Sequence, residues 1–215
     1  MEQIAAIPWF ASLDEAMRAD LIARGRLVRR AAGEWLWGEG DEDTGLVAVI
    51  AGGMHLYSQA PGGREVLFGM LPPGTVMGQS AGLGGGPRLV TAIAAADSQL
   101  FLLSDRALRE TAALHPMLWR SLSVLVYGQL GAAVQGWVEA IALKPRQRMI
   151  ARLLAMSVAG PLPLSQATLA EMVGVSRKAV NGWLSNLEAR ELVVRGYGRI
   201  EVRDRVGLER MLADG

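Results

Sequence analysis

Short apolar runs separated by glycine and proline fill the chain from residue 26 to residue 104. They cover residues 45–50, 54–59, 64–70, 89–95 and 99–103. In the third run, Val66, Phe68 and Met70 recur at every second position, which is typical of a strand with one buried face. The second and third runs flank Pro61-Gly62-Gly63 and therefore predict a β-hairpin. Many short strands at close spacing indicate a jelly-roll barrel or a sandwich of two sheets.

Helical patterns stand on both sides of this strand-rich segment. Ser12 is followed three residues later by Glu15, which is the spacing of a capping box and predicts a helix over residues 12–24. A longer helical pattern resumes after Pro116 and runs to about Leu143. Proline suits the first turn of a helix because the N–H that it lacks would have no partner there. The order of elements is therefore a helix, a strand-rich domain and a long helix.

The long helix carries apolar residues at alternating spacings of four and three, as in the seam of a coiled coil. The seam residues are Trp119, Ser123, Val126, Leu130, Ala133 and Trp137. Leu118, Leu122 and Leu125 form a second stripe beside them. We expect one stripe to lie on the barrel and the other to contact the same helix of a second chain, which predicts a homodimer. The alternative is that a single chain buries both stripes.

Beyond residue 144 the pattern is that of a helix-turn-helix. After a helix over residues 146–157, Ser165 and Ser176 each stand where they would cap a further helix, and Gly174 lies in the turn between the two. The inward positions of these helices are apolar, namely Leu169, Met172, Val173, Val180, Trp183, Leu184 and Leu187. Residues 192–194 and 199–202 then flank a glycine-containing turn, which predicts a two-stranded wing. Spacing and chemistry together indicate a winged helix-turn-helix.

Six polar residues of this motif are candidates for contact with DNA. Those expected to face the bases are Arg177, Lys178 and Asn181, and those expected to face phosphates are Ser165, Gln166 and Ser176. In a major groove, arginine reads guanine and asparagine reads adenine through paired hydrogen bonds. Hydroxyl and amide groups donate to phosphates, aided by the positive ends of helices. The alternative, a helix pair used only for packing, would not explain a basic and polar tip beside a glycine turn.

Composition and charge sharpen this picture. A chain of 215 residues that is 51% hydrophobic accommodates two domains. The absence of cysteine excludes a disulfide framework, thiolate metal sites and iron–sulfur clusters held by cysteines. Residues 1–143 hold 10 Arg and no Lys against 14 acidic residues, a net charge of −4, whereas residues 144–215 hold 10 Arg and 2 Lys against 7 acidic residues, a net charge of +5. The basic C-terminal part is therefore the part expected to meet a polyanion.

One segment invites comparison with a membrane span. No charged residue occurs from Ser121 to Val138, yet this stretch includes two glutamines, two serines and three glycines, which are unfavourable in lipid. The first residues, Met1-Glu2, do not have the basic start of a signal peptide. We therefore expect a cytoplasmic protein that does not contact a membrane.

Several short motifs carry a family resemblance: Ala32-Gly33-Glu34 through Gly40-Asp41, Gly52-Gly53, Pro73-Gly74 with Gly78, Val175-Ser176-Arg177 and Leu187-Glu188. With them the chain resembles the Crp–Fnr family of bacterial transcription regulators over nearly its whole length. The resemblance implies an α+β fold with a jelly-roll, cyclic-nucleotide-binding-like barrel at residues 1–112, a dimerisation helix and hinge at 113–144, and a winged helix-turn-helix at 145–215. It also implies a homodimer on a palindromic double-stranded DNA operator, with RNA polymerase as a further partner.

Five residues fall at the effector site that the resemblance implies: Gly78, Gln79, Ser80, Arg88 and Leu89. Cyclic-nucleotide binders of the family use a glutamate for the ribose, and an arginine followed by Ser or Thr for the cyclic phosphate. Here Arg88 is in place, but Gln79 replaces the acid and Leu89 replaces the hydroxyl residue. Ala133 and Val134 stand where the cyclic-AMP receptor presents Thr and Ser to adenine. Three hypotheses stay open: a cyclic nucleotide, a different effector, or a barrel without a small-molecule effector that serves as a structural or protein-interaction module.

Cofactors and enzyme activity find little support in the residues. The Fnr branch holds its iron–sulfur cluster through cysteines, which this chain lacks. Haem sensing would need axial ligands. His55 lies in a strand pattern and His115 precedes the proline of the long helix, and histidines in such positions are more often capped or surface residues than haem ligands. No metal site is expected. The glycine-rich loop at residues 82–86 lacks the Lys-Ser/Thr ending of a phosphate-binding loop, so we expect no enzyme activity.

The DNA-reading helix also departs from that of the cyclic-AMP receptor. Arg177 is retained, while Lys178 replaces an acid and Gly182 replaces a second arginine. A carboxylate accepts a hydrogen bond from the amino group of cytosine, whereas Lys178 can only donate. The half-site is therefore expected to differ from that of the receptor.

Overall fold

The fold is taken from a computed structural model that describes residues 2–78, 81–157 and 160–213. Three helices open the chain: α1 (Glu2–Ala5), α2 (Pro8–Ala11) and α3 (Glu15–Arg24). The capping box predicted from Ser12 is wrong, since Asp14 caps α3 by accepting a hydrogen bond from the backbone N–H of Met17 at 2.9 Å. Ser12 ends α2 instead, and its hydroxyl donates to the carbonyl of Trp9. The carboxylate of the residue immediately before Glu15 thus sets where α3 begins.

Two four-stranded sheets build the barrel, in the strand orders β1-β8-β3-β6 and β2-β7-β4-β5. The strands are β1 (Arg26–Arg30), β2 (Trp35–Trp37), β3 (Gly45–Ala51), β4 (Met54–Ala60), β5 (Arg64–Leu71), β6 (Val76–Gly78), β7 (Thr91–Ala94) and β8 (Ser98–Ser104). Their pairings are antiparallel. The predicted jelly-roll-like arrangement of short strands is confirmed.

The hairpin predicted around Pro61-Gly62-Gly63 is present. Strands β4 and β5 pair from Met54 opposite Leu71 to Ala60 opposite Arg64. In the turn, Gly62 and Gly63 have φ of 89° and 77°, a left-handed conformation that glycine adopts at little cost. The expectation that Val66, Phe68 and Met70 share one buried face is wrong, since Leu67 and Met70 are buried whereas Phe68 is exposed. The pairing of β4 with β5 shifts register at Leu56/Tyr57, and this irregularity breaks the simple alternation.

Alternating residues of β3 and β8 supply two different apolar layers, because successive side chains of a strand point to opposite faces. One face closes the interior of the sandwich, with Val47, Val49 and Leu100 packed against Trp37, Met54, Leu56, Ala92 and Ala94. The other face packs against helices, with Leu46, Ala48, Phe101 and Leu103 in contact with apolar residues of the N-terminal and following helices. Both faces of this sheet are therefore buried.

Two helices follow the barrel, α4 (Asp105–Leu114) and α5 (Met117–Ala142). Ser104 caps α4 by accepting from the backbone N–H of Ala107 at 3.2 Å. Leu118 and Leu122 at the start of α5 are fully buried against the barrel, whereas most of the helix beyond Val124 is exposed. Among the described helices, none is both long enough and apolar enough to cross a lipid bilayer.

The C-terminal domain contains α6 (Pro145–Met156), α7 (Gln166–Val173), α8 (Arg177–Ala189), β9 (Val193–Gly196), β10 (Arg199–Val202) and α9 (Arg205–Ala213). Gly174 ends α7 with φ of 75° and ψ of 39°, and β9 and β10 pair as an antiparallel ribbon. The predicted winged helix-turn-helix is therefore confirmed. Helix α9 was not predicted, and its Leu208 is fully buried in the core of this domain.

The β4–β5 hairpin of the barrel contacts the C-terminal domain. Met70 of β5 belongs to the same buried cluster as Leu162, Leu164 and Leu169. At the end of the hairpin, a side chain on Gly53 would meet the ring of Pro163 at 3.1 Å. This contact, together with the connection through α5, positions the helix-turn-helix on the barrel.

Candidate nucleic-acid interface and candidate effector pocket

The tip of the C-terminal domain is a basic concave surface formed by the N-termini of α7 and α8 and by the wing. It encloses a cavity of about 400 Å³. Its lining residues at the tip are Ser165, Gln166, Ala167, Arg177, Arg195, Gly196, Tyr197, Gly198 and Arg199. Three arginines and two helix N-termini around one concavity favour an anion such as a phosphate group. Of the predicted residues, the structure brings Ser165, Gln166 and Arg177 together here.

The two predicted cap serines occupy the N-cap positions of these helices. The hydroxyl oxygen of Ser165 accepts from the backbone N–H of Thr168 at 3.0 Å and lies 2.7 Å from the Thr168 hydroxyl. The hydroxyl oxygen of Ser176 accepts from the backbone N–H of Ala179 at 3.2 Å. A hydroxyl that accepts one bond still carries its own proton. Ser176 can therefore cap α8 and donate to a phosphate at the same time.

Helix α8 buries one face and exposes the other. Val180, Leu184 and Leu187 are fully buried, and Arg177, Lys178 and Asn181 lie on the exposed side within the first turns. Inward apolar residues at helical spacing thus project the three predicted base-reading side chains outward. One of them has a protein partner, since Oδ1 of Asn181 accepts a hydrogen bond from Nη1 of Arg195 at 2.9 Å.

Sequence reasoning missed the side chains of the wing. Arg195 donates through Nε to Glu188 of α8 at 2.8 Å, and these hydrogen bonds hold the pKa of the Glu188 carboxyl below its usual value. Tyr197 is fully exposed at the tip of the turn, and Arg199 is exposed beside it. Two arginines and a tyrosine around glycines in Arg195-Gly196-Tyr197-Gly198-Arg199 were the available signal for a surface that contacts a polyanion.

A second cavity, of about 300 Å³, lies in the barrel beneath α5. Its lining residues are Trp37, Met77, Gly78, Leu83, Gly85, Arg88, Leu89, Val90, Val126 and Gln129. The predicted effector residues Gly78, Arg88 and Leu89 therefore meet at one cavity. Gln79 and Ser80 lie outside the described residues. Most of the lining side chains are apolar, with Arg88 and the amide of Gln129 as polar exceptions.

Arg88 is held by the backbone and by an aromatic ring. Its Nε donates to the carbonyl of Asp43 and its Nη1 donates to the carbonyl of Gly45, each at 3.1 Å. The guanidinium carbon lies 4.2 Å from the centre of the Trp37 ring, a cation–π contact. Burial lowers the pKa of the Arg88 guanidinium, while Asp43 and Asp105 act in the opposite direction. The contact between Trp37 and Arg88 could not be predicted from the sequence, because it joins two distant parts of the chain.

The glycine at position 78 is required by its surroundings. Its φ is 119°, and a Cβ atom there would lie 1.9 Å from the carbonyl oxygen of Gly45. This same carbonyl accepts the hydrogen bond from Arg88. The close approach of the two backbones therefore fixes the position of the guanidinium at the wall of the cavity.

The predicted seam of α5 is spread over several environments. Trp119 is half-buried against the core of its own chain, Val126 lines the barrel cavity, and Ser123, Leu130, Ala133 and Trp137 are exposed. The structure shows a further set of exposed apolar residues on this helix, namely Val124, Tyr127, Val134, Val138 and Ile141. Within this set, Val134, Val138 and Ile141 follow spacings of four and three, which was the signal that could have identified them. Together these side chains form an extensive apolar surface on α5.

The two histidines lie apart from both cavities' linings. His55 is half-buried on β4, and burial lowers the pKa of its imidazole. His115 lies 3.8 Å from a carboxylate oxygen of Asp20. Among the residues that the structure describes, no three His, Asp or Glu side chains are grouped so that they could hold a metal ion.

Comparison with known proteins matches two parts of the chain to domain families. Residues 27–115 match the cyclic nucleotide-binding domain, and residues 141–211 match the Crp-like helix-turn-helix domain. The chain is 28% identical over 217 residues to the nitrogen fixation regulation protein FixK of Bradyrhizobium diazoefficiens, covering 94% of this chain and 89% of that protein. It is also 28% identical over 180 residues to the cyclic AMP receptor protein of Thermus thermophilus, covering 82% and 83% of the two chains.

Solved structures share the fold. FixK2 from Bradyrhizobium japonicum superposes with a TM-score of 0.74 at 22% identity, over 86% of this chain and 96% of that one. The catabolite activator protein of Thermus thermophilus gives a TM-score of 0.55 at 24% identity, over 96% of this chain and 99% of that one. With a cyclic nucleotide-binding domain, a long helix and a Crp-like helix-turn-helix in this order, the chain belongs to the Crp–Fnr family of transcription regulators.

Proposed function

We propose that the protein acts in the cytoplasm as a homodimeric regulator that binds a palindromic operator through α8 and the wing. The observation that carries this proposal is the basic concave tip, where Arg177, Arg195 and Arg199 surround the N-termini of α7 and α8. In this proposal Arg177 and Lys178 read base edges, and Ser165, Gln166 and Ser176 donate to phosphates. The proposed division is a barrel at 1–112, a dimerisation helix at 113–144 and a DNA-binding domain at 145–215. The proposed regulator has no enzyme activity and contacts RNA polymerase at promoters.

The exposed apolar surface of α5 supports the homodimer. Trp137 is 72% exposed and Ile141 is 80% exposed, on a helix whose buried residues, among those described, are Leu118 and Leu122 near its start. An apolar surface of this extent is unfavourable in water, and the same surface of a second copy offers a self-complementary partner. A two-fold dimer would present two copies of α8 to two half-sites about one helical turn of DNA apart.

Selection from random duplexes tests sequence-specific binding. We expect a palindrome to be enriched, with an affinity that falls steeply as salt concentration rises, because cations on the protein replace counterions on DNA. Arg177→Ala should weaken binding by about 1–3 kcal/mol and relax the preference at one base position. Arg210→Ala is the matched control, since it removes an exposed arginine of α9 outside the basic tip and should leave the base preferences unchanged. Absence of an enriched palindrome at every salt concentration would refute the proposal.

For the barrel, we propose that the cavity beside Arg88 senses a small, largely apolar molecule that carries one anionic group. The relative from Thermus thermophilus is named a cyclic AMP receptor, but the lining described here is a poor match for a cyclic nucleotide. Among the described residues, the walls are mostly apolar, Leu89 offers no hydroxyl group, and two donors of Arg88 are already bonded to backbone carbonyls. Against these described residues, a ribose and a purine would find few hydrogen-bond partners, and unpaired polar atoms are costly.

Isothermal titration calorimetry with cyclic AMP and cyclic GMP tests this choice of ligand. We expect no saturable heat with either nucleotide at concentrations up to about 1 mM, which bounds the binding free energy near 4 kcal/mol. A library of small aromatic and aliphatic carboxylates should instead yield binders that Arg88→Ala abolishes. Micromolar binding of a cyclic nucleotide that depends on Arg88 would contradict the proposal.

A further inference from the structure

Three side chains connect the wing to the DNA-reading helix in a continuous chain of hydrogen bonds. Glu188 accepts from Arg195 at its backbone N–H at 3.1 Å, at Nε at 2.8 Å and at Nη2 at 2.5 Å. The remaining terminal nitrogen of the guanidinium, Nη1, donates to Oδ1 of Asn181 at 2.9 Å. Glu188 and Asn181 are seven residues apart on α8, about two turns, and therefore share one face of the helix. Arg195 spans them from strand β9.

The bonds to Glu188 fix where the Arg195 guanidinium lies. The Nε and Nη2 bonds of Arg195 converge on one oxygen of Glu188, Oε2, while Oε1 accepts from the backbone N–H, so both carboxylate oxygens are bonded to Arg195 by charge-assisted or backbone hydrogen bonds. The backbone bond from the same residue adds a third contact between β9 and α8, so neither the strand nor the side chain can shift without breaking the pair. Arg195 is half-buried, unlike Arg199 at the other end of the turn, which is exposed.

The bond to Asn181 determines which way its amide points. A guanidinium has only donors, so the atom of Asn181 that faces it must be the carbonyl oxygen Oδ1. The amide NH₂ group is then turned away from Arg195. To pair with adenine, an asparagine must present both Oδ1 and its NH₂ group to the same base edge, accepting from N6 and donating to N7. Arg195 occupies one of the two lone pairs of Oδ1 and directs this oxygen toward the wing, so the NH₂ group is the part of the amide that is directed away from the wing.

We propose that Arg195, held by Glu188, is a positioning residue that makes Asn181 a hydrogen-bond donor to the DNA. Guanine offers two acceptors, N7 and O6, on its major-groove edge, whereas adenine places a donor beside its N7. Asn181 therefore selects guanine instead of the adenine expected for an unrestrained asparagine. This inference rests on the proposed sequence-specific DNA binding.

Base preferences measured by selection from random duplexes test it, with the full chain and several variants. Asn181→Ala identifies the base position that Asn181 contacts. Arg195→Lys keeps the positive charge, but an ammonium cannot bond Glu188 and Asn181 in the same fork. At the position so identified, we expect the wild-type preference for guanine over adenine to fall about two- to tenfold in Arg195→Lys, the range of one lost hydrogen bond. Glu188→Gln should shift the preference in the same direction.

Arg199→Ala is the matched control, because it also removes an arginine of the wing but leaves the bonds among Glu188, Arg195 and Asn181 in place. It should lower affinity and the salt dependence of binding without a change of base preference. A general disturbance of the wing would alter both variants alike. Circular dichroism of each variant confirms that the domain is folded.

The results that overturn the inference are specific. If Asn181→Ala changes a base position at which Arg195→Lys and Glu188→Gln match the wild type, Arg195 does not position Asn181. If Asn181→Ala changes no position, or if the wild type selects adenine there, the inference is equally wrong while the DNA-binding proposal stands. Failure of the wild type to enrich any palindrome instead refutes the proposed function itself.

Discussion

The turn between α7 and α8 depends on the left-handed backbone of Gly174, and a single methyl group tests this dependence. Gly174 has φ of 75°, and a Cβ atom built on it would meet nothing within 4 Å. Alanine at this position would therefore be penalised by the backbone conformation alone, by about 1–2 kcal/mol. Because alanine makes the unfolded chain less flexible than glycine does, the substitution would also stabilise the folded state by roughly half a kcal/mol. We expect Gly174→Ala to lower the free energy of unfolding by about 1 kcal/mol.

Gly182 provides the matched control for this substitution. A Cβ atom there would also meet nothing within 4 Å, but this glycine lies inside α8 without a positive φ. Alanine in an exposed helix interior is more favourable than glycine by about 0.5–1 kcal/mol, so Gly182→Ala should raise the free energy of unfolding. The same chemical change is thus expected to shift the free energy of unfolding in opposite directions at two glycines that are eight residues apart in the sequence.

Urea unfolding followed by circular dichroism, together with hydrogen exchange of the amides of α7 and α8, measures both effects. The exchange data are needed because the two domains can unfold separately. The difference between the two variants should amount to about 1.5–2 kcal/mol in the stability of the C-terminal domain. A Gly174→Ala variant as stable as the wild type, or a destabilised Gly182→Ala variant, would refute the assignment of these backbone conformations.

Three further predictions concern the cap of α8, the surface of α5 and a titrating histidine. Ser176→Ala removes the side-chain acceptor for the N–H of Ala179 and should destabilise the C-terminal domain by about 1 kcal/mol in urea unfolding. Ser176→Thr keeps a hydroxyl acceptor and should retain most of the stability that this cap provides. Ile141→Glu places a charge on the exposed apolar surface of α5 and should convert the dimer to a monomer in light scattering, whereas an unchanged mass would place the dimer contact elsewhere. Burial lowers the pKa of His55 below its usual 6.5, so the unfolded chain binds the proton more readily, and the stability present above pH 6.5 should be lost as pH falls below that value. His55→Gln should flatten this dependence between pH 7.5 and 5.5, and an unchanged slope would assign it to another group.

Local signals carried the prediction of the C-terminal domain. Ser165 and Ser176 precede the two helices as side-chain acceptors, and Gly174 supplies the backbone conformation that stops the first helix. Each of these signals acts within one turn of the chain, so their meaning does not depend on the rest of the fold. The same holds for the hairpin around Pro61-Gly62-Gly63, which the turn residues located.

Competition between neighbouring caps explains the misplaced start of α3. Ser12 and Asp14 are both suitable N-cap residues, and the sequence rule that pairs Ser12 with Glu15 favoured the first. In the structure α2 extends to Ala11, so Ser12 is needed to end that helix and Asp14 caps the next. In the short helix α2, Phe10 is fully buried and Trp9 is half-buried against the same cluster, and no local sequence pattern predicts this packing.

The sequence did not predict contacts between residues that are far apart in the chain. The sequence identified Arg88 and Asn181 as candidate binding residues, but their partners come from other elements, the carbonyls of Asp43 and Gly45 for the first and Arg195 for the second. These contacts change the chemistry that each side chain can offer, since an occupied donor or acceptor is no longer available in full to a ligand. Residue type therefore located the candidate sites, while the fold decided how those residues are oriented.

Native mass spectrometry of the protein with its selected duplex counts the chains bound to each DNA molecule, so it tests dimeric, sequence-specific binding. We expect two chains on a duplex with two intact half-sites, and loss of the complex at the same concentration when one half-site is scrambled. One chain per duplex, or a complex that is indifferent to the scrambled half-site, would contradict a dimeric, sequence-specific regulator.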